Sequence, residues 1–336
     1  MKTPTDKKSA LVDPFGRVVN YVRMSVTDRC DFRCIYCMAE DMTFLPRERL
    51  LTLEEMAFLG RAFVELGVNK IRLTGGEPLV RRNVISLVQD LGQLNGLNEL
   101  LITTNGSQLP DMANQLADAG INRINVSLDS LKPERFKSLT RTGKLERVLK
   151  GIECARQAGI ERIKLNAVIV RNKNDDEIID LINYARERHL DISFIEEMPL
   201  GDIGSRDRLK SMVTSQEIRD KISQHYNLIS SAETSAGPSR YYRMPDSDIR
   251  IGFISPNSHN FCESCNRVRV TCEGRLLLCL GNEHSYDLKT VMRHHPGDMD
   301  ILKNTIIEAI TLKPERHYFH DDDKPQIVRF MNSTGG

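Results

Sequence analysis

Three cysteines near the start of the chain, Cys30, Cys34 and Cys37, have a spacing that fits the binding of one metal cluster. The C-x3-C-x2-C pattern puts three thiolates on one short loop, whereas a 4Fe-4S cube normally takes four. No fourth cysteine lies nearby in the sequence, so a cube bound here would keep one iron open, and an open metal position is where catalysis occurs. Two alternatives are a zinc site with a fourth ligand from elsewhere and a chance spacing of buried thiols.

A second set of cysteines near the other end of the chain consists of Cys262, Cys265, Cys272 and Cys279. Taken alone, these residues predict a zinc ribbon with four cysteine ligands. The residues after Cys265 favour another function, because Arg267 and Arg269 stand at strand spacing and point to one face. Paired guanidinium groups suit the bidentate binding of phosphate, although a solvated strand face has the same pattern. Both interpretations stay open at this point.

Short apolar segments alternate with helical patterns from Val18 to about Met198. Repeated β-α units of this kind predict a parallel sheet, either doubly wound or a partial barrel. The predicted strands are Asn20–Val26, Lys70–Thr74, Glu99–Thr103, Arg123–Ser127, Arg162–Val168 and Ser193–Glu197. The predicted helices between them are Leu53–Leu66, Val84–Leu94, Met112–Ala119, Leu145–Ala158 and Glu177–Arg188. Cys154 stands alone in a helical pattern, where a small buried apolar side chain is expected.

Polar and glycine-rich motifs follow the predicted strands, and both architectures place function at the carboxyl ends of strands. Cys30 follows the first strand, and Gly75-Gly76-Glu77-Pro78 follows the second. Glycines here let the backbone approach a ligand closely, and the Glu77 carboxylate could accept hydrogen bonds from an ammonium group. Later strands end at Thr103-Thr104-Asn105-Gly106, Ser127-Leu128-Asp129 and Met198-Pro199.

Composition limits the class of protein. The chain has 336 residues and a net charge of +1, which fits one barrel-sized domain with a smaller one and argues against nucleic-acid binding. No apolar run reaches the length of a membrane span, and the polar segment from Met1 to Asp13 lacks the apolar core of a signal peptide. We therefore expect a cytoplasmic protein without membrane contacts. A change of composition after Leu200 predicts two domains, 1–204 and 205–336, the second with helices at Leu288–His294 and Asp298–Ile310.

The first cysteine loop, with Tyr36 directly before Cys37, resembles that of the radical S-adenosylmethionine (SAM) superfamily. The whole set of motifs, over nearly the full chain, is similar to the GTP 3′,8-cyclase family of molybdenum cofactor biosynthesis. This resemblance implies an α/β fold, with an incomplete (βα)6 barrel of the triosephosphate-isomerase type and a smaller C-terminal iron-sulfur domain. The segments that carry it are Arg23 to Cys37, Thr74 to Pro78, Thr103 to Gly106, Cys262 to Arg269 and the final Gly335-Gly336.

The resemblance also implies SAM and two 4Fe-4S clusters as cofactors, with the open iron of one cluster on SAM and that of the other on the GTP base. The implied cluster ligands are Cys30, Cys34, Cys37, Cys262, Cys265 and Cys279. The implied SAM contacts are Tyr36, Gly76, Ser127 and Met198. The implied GTP contacts are Arg23, Arg72, Thr103, Lys164, Arg267, Val268 and Arg269. The implied catalytic residues are Arg267, Arg269, Gly335 and Gly336, since the Gly-Gly tail reaches into the active site in this family.

The implied reaction removes a hydrogen atom from C3′ of GTP, joins C3′ to C8 of the base and yields 3′,8-cyclo-7,8-dihydro-GTP. The implied partners are a second copy of the chain in a homodimer, an electron donor such as a flavodoxin-type reductase system, and the next enzyme, cyclic pyranopterin monophosphate synthase. Two positions depart from the family pattern: relatives often carry arginine where this chain has Ser193, and Cys272 lies outside the pattern.

Two other functions are compatible with parts of the sequence. One is a radical SAM enzyme with an auxiliary cluster that acts on a peptide, for which the pair Arg267 and Arg269 has no obvious use. The other is a non-enzymatic zinc or iron-sulfur protein that binds a nucleotide or nucleic acid.

Overall fold

Six consecutive β-α units form the first part of the protein, as seen in a computed structural model. The structure describes residues 10–198, 200–201, 208–233, 237–259, 261–282, 284–317 and 329–335. The strands of the six units are β1 (Tyr21–Ser25), β2 (Lys70–Thr74), β3 (Glu99–Thr104), β4 (Arg123–Ser127), β5 (Arg162–Val168) and β6 (Asp191–Ile195). The helices between them are α1 (Leu53–Glu65), α2 (Val84–Gly92), α3 (Leu109–Asp118), α4 (Pro133–Thr140), α5 (Leu145–Gln157) and α6 (Ile178–Glu187), and α8 (Ser215–Ser223) of the second part follows β6.

The second part of the chain contains shorter elements. Its helices are α7 (Arg208–Ser211), α8 (Ser215–Ser223), α9 (Leu288–His294), α10 (Met299–Ile310) and α11 (Met331–Thr334). Its strands are β7 (Ile229–Ser230), β8 (Arg240–Arg243), β9 (Arg250–Ile254), β10 (Arg267–Val270), β11 (Arg275–Leu277) and β12 (Ser285–Asp287).

Every strand and helix expected in the first part is present, with ends that differ by a few residues. Helix α3 begins at Leu109 rather than Met112, because Pro110 is tolerated in the first turn of a helix. Helix α4 is not expected from the sequence. Its buried residues are only Phe136, Leu139 and Thr140, which is too short a run to give a clear helical period.

The described strands form one sheet, in the order β12-β11-β10-β1-β2-β3-β4-β5-β6-β9-β8-β7. Strand β10 pairs in parallel with β1, and β9 pairs in parallel with β6, so the second part of the chain extends both edges of the six-unit sheet. Antiparallel pairs occur only beyond these two strands. The expected α/β fold with a mostly parallel sheet is confirmed. The domain boundary at 204/205 stays a prediction, since the sheet continues across it.

The two faces of the parallel strands differ in chemistry. Val22, Met24, Ile71 and Leu73 lie on one face and are buried in the apolar core. Because successive side chains of a strand point to opposite faces, the alternate residues share the other face, which we call the inner face. Its charged residues on the parallel strands include Arg23, Arg72, Arg123, Lys164, Arg267 and Arg269. Among the described residues, no helix is long and apolar enough to cross a membrane.

Candidate active site

The loop after β1 carries Cys30, Cys34 and Cys37, which line one cavity at the carboxyl ends of the parallel strands. All three are free thiols. Burial raises the pKa of each thiol, to about 12 for Cys37. A coordinated metal reverses such a shift, because it ionises the thiols that bind it. Three buried thiols around one cavity therefore fit a metal cluster, which would supply the missing positive charge.

Asp31, which the sequence pattern does not single out, fixes this loop to the end of β3. Its carboxylate accepts hydrogen bonds from Asn105 Nδ2 at 2.6 Å, Ser107 Oγ at 2.6 Å and Gln108 Nε2 at 3.1 Å. Asn105 Nδ2 also lies 3.8 Å from Cys30 Sγ. The Asp31 carboxylate thus links the cysteine loop to the polar segment that follows β3.

The glycines after β2 make room for the backbone of the cysteine loop. A Cβ atom on Gly75 would lie 2.6 Å from the Thr27 carbonyl oxygen, and one on Gly76 would lie 2.4 Å from the Arg29 carbonyl oxygen. Their small size therefore serves contact between two protein segments, in addition to the expected approach to a ligand. Both glycines line the cavity with the three cysteines.

The expectation that Glu77 accepts hydrogen bonds from a ligand ammonium group is wrong. Its side chain is fully buried and accepts from Leu79 N at 3.0 Å, Thr104 Oγ1 at 2.8 Å and Asn105 N at 2.6 Å. Burial raises the pKa of Glu77 to about 8 in spite of these bonds. Glu77 therefore joins the ends of β2 and β3 and does not face the cavity.

The residues expected to contact SAM lie around the same cavity as the first cysteine set. They are Tyr36, Gly76, Ser127 and Met198. The Tyr36 hydroxyl donates to Asp129 Oδ2 at 2.6 Å, and Asp129 Oδ1 accepts from Val168 N at 2.8 Å. Burial raises the pKa of Asp129 to about 6. Asp129 is a cavity residue that the sequence marks only as a strand end, and it holds Tyr36 in place.

The second cysteine set brings together Cys262, Cys265 and Cys279, which line another cavity with Arg267 and Arg269. Strands β10 and β11 form an antiparallel hairpin in which Arg269 pairs with Leu277. The hairpin register therefore brings Cys279 to the same end as Cys265.

The zinc ribbon with four cysteine ligands is wrong, because Cys272 lies in the turn at the other end of this hairpin. It is fully buried, and its carbonyl accepts from Leu51 N at 2.8 Å. Among the residues that the structure describes, no group of three or more His, Cys, Asp or Glu side chains is arranged to hold a single metal ion.

Two cations contact the second cysteine set. Lys313, which is 3% exposed, lies with Nζ 3.6 Å from Cys265 Sγ and donates to the Leu278 carbonyl at 2.9 Å. Arg17 donates to the Cys262 carbonyl at 2.8 Å. Burial opposes ionisation of Cys265, but the charges of Arg267 and Lys313 outweigh it and lower the pKa of this thiol. The lowered pKa of the Cys265 thiol suits a metal ligand, because a cysteine binds metal as the negatively charged thiolate.

The two cysteine sets lie beyond opposite ends of the parallel strands. Cys30 follows the carboxyl end of β1, whereas Cys265 precedes the amino end of β10, and these two strands are parallel neighbours. The rule that function lies at carboxyl ends therefore holds for the first set and not for the second. A strand of five residues spans about 16 Å, and the inner face lies along this length. Met198 lines both cavities.

Arg72 on the inner face is held in a fixed orientation by three hydrogen bonds. Arg72, which is 4% exposed, donates from Nε to the Tyr21 hydroxyl at 2.6 Å and from Nη1 to Ile102 O at 3.1 Å and Thr103 Oγ1 at 3.3 Å. Burial raises the pKa of Tyr21, but the charges of Arg72, Arg23 and Arg267 outweigh it and lower the value to about 7. Tyr21 is a further inner-face residue that the motifs do not reveal.

Lys164 occupies the centre of the inner face, on β5. Its Nζ lies 3.0 Å from Ser193 Oγ and 3.5 Å from the Tyr241 hydroxyl. Burial lowers the pKa of Lys164 to about 8. Ser193, the position that departs from the family pattern, is also 3.1 Å from Ser239 Oγ, so hydroxyl groups occupy the space near Lys164.

Two expected site residues differ in how they reach the inner face. Val268 alternates with Arg267 and Arg269, so its side chain lies in the apolar core, and a ligand contact would come from its main chain. Gly335 lies at the inner face, where its carbonyl accepts hydrogen bonds from Arg269 Nη1 and, at 3.5 Å, from Arg23 Nη2. Gly336 lies outside the described residues.

We predict that Gly335→Ala releases the C-terminal tail. A Cβ atom at Gly335 would lie 1.9 Å from Thr74 Oγ1, and the backbone there has φ of +77°. Carboxypeptidase digestion with mass spectrometry should show faster removal of the last residues. Gly297→Ala is the matched control, since Gly297 has the same φ of +77° but nothing within 4 Å of its Cβ position. Equal tail release in both variants would contradict the steric account.

The two cysteine sets fall in two regions of the chain that match different known protein families. Residues 24–185 match the Radical SAM superfamily, and residues 190–319 match the Molybdenum Cofactor Synthesis C family. Among solved structures, SuiB of Streptococcus suis is similar with a TM-score of 0.60, at 14% identity, over 86% of this chain and 67% of that chain. Its SAM-bound form gives a TM-score of 0.59 over 94% of this chain and 78% of that chain. At this level of identity the likeness concerns the fold alone.

Curated relatives are similar over nearly their full length. The GTP 3′,8-cyclase of Marinobacter nauticus is 61% identical over 329 residues, which cover 98% of this chain and 99% of that protein. The GTP 3′,8-cyclase of Saccharophagus degradans is 58% identical over 98% of this chain and 100% of that protein. This chain therefore belongs to the GTP 3′,8-cyclase family of the radical SAM superfamily.

Proposed function

We propose that the protein converts GTP to 3′,8-cyclo-7,8-dihydro-GTP, the first step of molybdenum cofactor biosynthesis. One observation carries this proposal beyond family membership. A buried cationic face lies between two cavities, each with three cysteines, and Met198 lines both cavities. A substrate with a polyanionic group and a reactive ribose fits this arrangement, because the cations bind phosphate while the sugar lies between the two cysteine sets.

Cys30, Cys34 and Cys37 would hold one 4Fe-4S cluster, with one iron left for SAM. Together, the cluster and SAM supply the one-electron chemistry that removes a hydrogen atom from the substrate. SAM would be bound by Tyr36, Gly76, Ser127 and Met198. The Asp129 carboxylate accepts a hydrogen bond from the Tyr36 hydroxyl at 2.6 Å and keeps it in place. The apolar lining from Ile195 and Val168 would exclude water from the reacting carbon.

Cys262, Cys265 and Cys279 would hold the second 4Fe-4S cluster, with its open iron toward the GTP base. The nearby charges of Arg267 and Lys313 lower the pKa of the Cys265 thiol, which favours the thiolate that a cluster ligand requires. Iron is favoured over zinc because the zinc interpretation depended on Cys272, which lies at the far end of the hairpin.

The GTP site would be formed by Arg23, Arg72, Thr103, Lys164, Arg267, Arg269 and the main chain of Val268. The Arg72 guanidinium, fixed by Tyr21 and Thr103, is oriented before the ligand arrives, which reduces the entropy lost on binding. The residues that act nearest the reacting atoms would be Arg267, Arg269, Gly335 and Gly336, since the tail at Gly335 contacts the Arg269 guanidinium.

The wider proposal includes a homodimer, a flavodoxin-type reductase system as the electron donor and transfer of the product to cyclic pyranopterin monophosphate synthase. It also includes a cytoplasmic location, supported by the eight cysteines, all of which are free thiols. Neither the donor nor the dimer is needed to test the reaction, because a chemical reductant replaces the donor.

A radical SAM enzyme that modifies a peptide is the second candidate, and the SuiB structures include one bound to its precursor peptide. That likeness is at 16% identity and concerns the fold alone. Several buried cations on one inner face suit a triphosphate better than a neutral peptide backbone.

We predict that the two cysteine sets have separable roles. With SAM, GTP and reductant under anaerobic conditions, the unsubstituted protein should give the cyclised nucleotide and bind about eight irons per chain. Replacing Cys30, Cys34 and Cys37 by alanine should abolish both 5′-deoxyadenosine and product. Replacing Cys262, Cys265 and Cys279 should abolish the product while about four irons and some SAM cleavage persist. If the unsubstituted protein cleaves SAM but forms no cyclised nucleotide, the GTP assignment fails.

We predict that GTP binding weakens as the pH rises above neutrality. Tyr21, with a pKa of about 7, gains a negative charge, and Lys164, with a pKa of about 8, loses its positive charge. Both changes make the site less attractive to a polyanion. Equilibrium dialysis should compare the unsubstituted protein with Tyr21→Phe, because the ratio of their dissociation constants cancels the titration of GTP itself. The relative affinity of Tyr21→Phe should rise through pH 7, and a constant ratio would contradict the role of the phenol.

A further inference from the structure

Arg123 is a buried cation that the motifs and the family resemblance do not assign to any function. It is the first residue of β4, lies on the inner face and is 6% exposed. Within the described residues its guanidinium has no hydrogen-bond or ion-pair partner, and its Nε atom is buried without an acceptor. A buried guanidinium nitrogen in this condition is destabilising, because it has lost water without gaining a partner.

The surroundings of Arg123 add more positive charge. Arg72 and Arg123 both pair with Leu101 of β3, from its two sides, so they lie in one row across the sheet. Both charges act on Lys164, and both help to lower the pKa of its ammonium group after the main effect of burial. Three buried cations therefore lie near one another on strands β2, β4 and β5.

Acidic residues at this end of the strands are already engaged. Glu99, at the start of β3, forms an ion pair with Lys70 at 2.5 Å. Asp191, at the start of β6, forms an ion pair with Arg250. Asn125, two residues after Arg123 on the same strand, is also buried and has an Oδ1 atom without a donor. Strand β4 thus presents two polar side chains to the inner face without partners among the described residues.

We propose that Arg123 is a further binding residue for the triphosphate of the nucleotide, acting with Arg72 and Lys164. This inference rests on the proposed function. A phosphate oxygen would provide the missing acceptor and the missing negative charge, and a guanidinium forms stronger hydrogen bonds with an anion than with a neutral group. The same contact would relieve the repulsion among the three cations, so that one ligand group satisfies all of them.

A purely structural role for Arg123 has opposite consequences, which makes the two roles separable. If Arg123 supported the fold, its removal would destabilise the ligand-free protein. If Arg123 instead binds an anion, replacing it by an apolar residue of similar length removes an unfavourable buried charge from the ligand-free protein. The ligand-free protein should then be at least as stable, while its stabilisation by GTP becomes smaller.

The test compares Arg123→Met with Arg162→Met in anaerobically prepared holoprotein. Arg162 pairs with Arg123 in the neighbouring strand β5 but is exposed, so it is the matched control. Equilibrium dialysis with GTP and with guanosine measures the contribution of the phosphates. Arg123→Met should weaken GTP binding by about ten- to a hundredfold and leave guanosine binding unchanged, while Arg162→Met changes neither. Arg123→Lys should recover part of the GTP affinity, because it keeps the charge without the planar fork.

Each other outcome overturns the inference. GTP affinity of Arg123→Met equal to that of the unsubstituted protein removes Arg123 from the site and leaves the proposed function intact. Equal losses for GTP and guanosine, or a lower melting temperature of the ligand-free variant, assign Arg123 to the fold. If the unsubstituted protein itself does not bind GTP, the proposed function fails together with this inference.

Discussion

Positive charge buried on one face of a parallel sheet is the constraint on which the rest of the structure depends. Parallel sheets are normally apolar on both faces, yet here β1, β2, β4, β5 and β10 present arginine or lysine at alternate positions. The apolar residues between them, such as Val22 and Leu73, are fully buried on the other face. A register shift of one residue would expose that core. The register is therefore fixed, and the positions of the cations are fixed with it. The proposed binding of a triphosphate depends on this fixed arrangement.

The parallel pairing of β1 with β10 explains how one interior can serve two cysteine sets. The chain leaves β1 at the first set and enters β10 from the second, so the sets lie beyond opposite ends of the same pair of strands. The inner-face residues Arg23 and Arg269 are direct neighbours in this pairing. The two ends of a strand usually belong to separate sites. Here the strands are short enough for the proposed nucleotide to reach both cysteine sets.

Much of this architecture is predictable from local sequence signals, and the reasons for the exceptions are physical. The six parallel strands and the position of the cysteine loop follow from β-α alternation and motif position. The barrel-like strand order from β1 to β6 and the grouping of Tyr36 and Ser127 around one cavity are implied only by the family resemblance. Long-range register is not encoded in that way, so the pairing of β10 with β1 and the separation of Cys272 from Cys265 emerge only in three dimensions. Tyr21 and Arg123 are missed for a related reason. A tyrosine or arginine at the start of a strand looks like an exposed residue until its neighbours across the sheet are known.

In the proposed reaction, the ribose of GTP lies close to SAM in the interior between the two cysteine sets. The decisive measurement is turnover of GTP that carries deuterium at C3′, with mass spectrometry of the 5′-deoxyadenosine that is released. We expect deuterium in 5′-deoxyadenosine and its loss from the cyclised product. Unlabelled 5′-deoxyadenosine alongside a product that keeps its deuterium would contradict it.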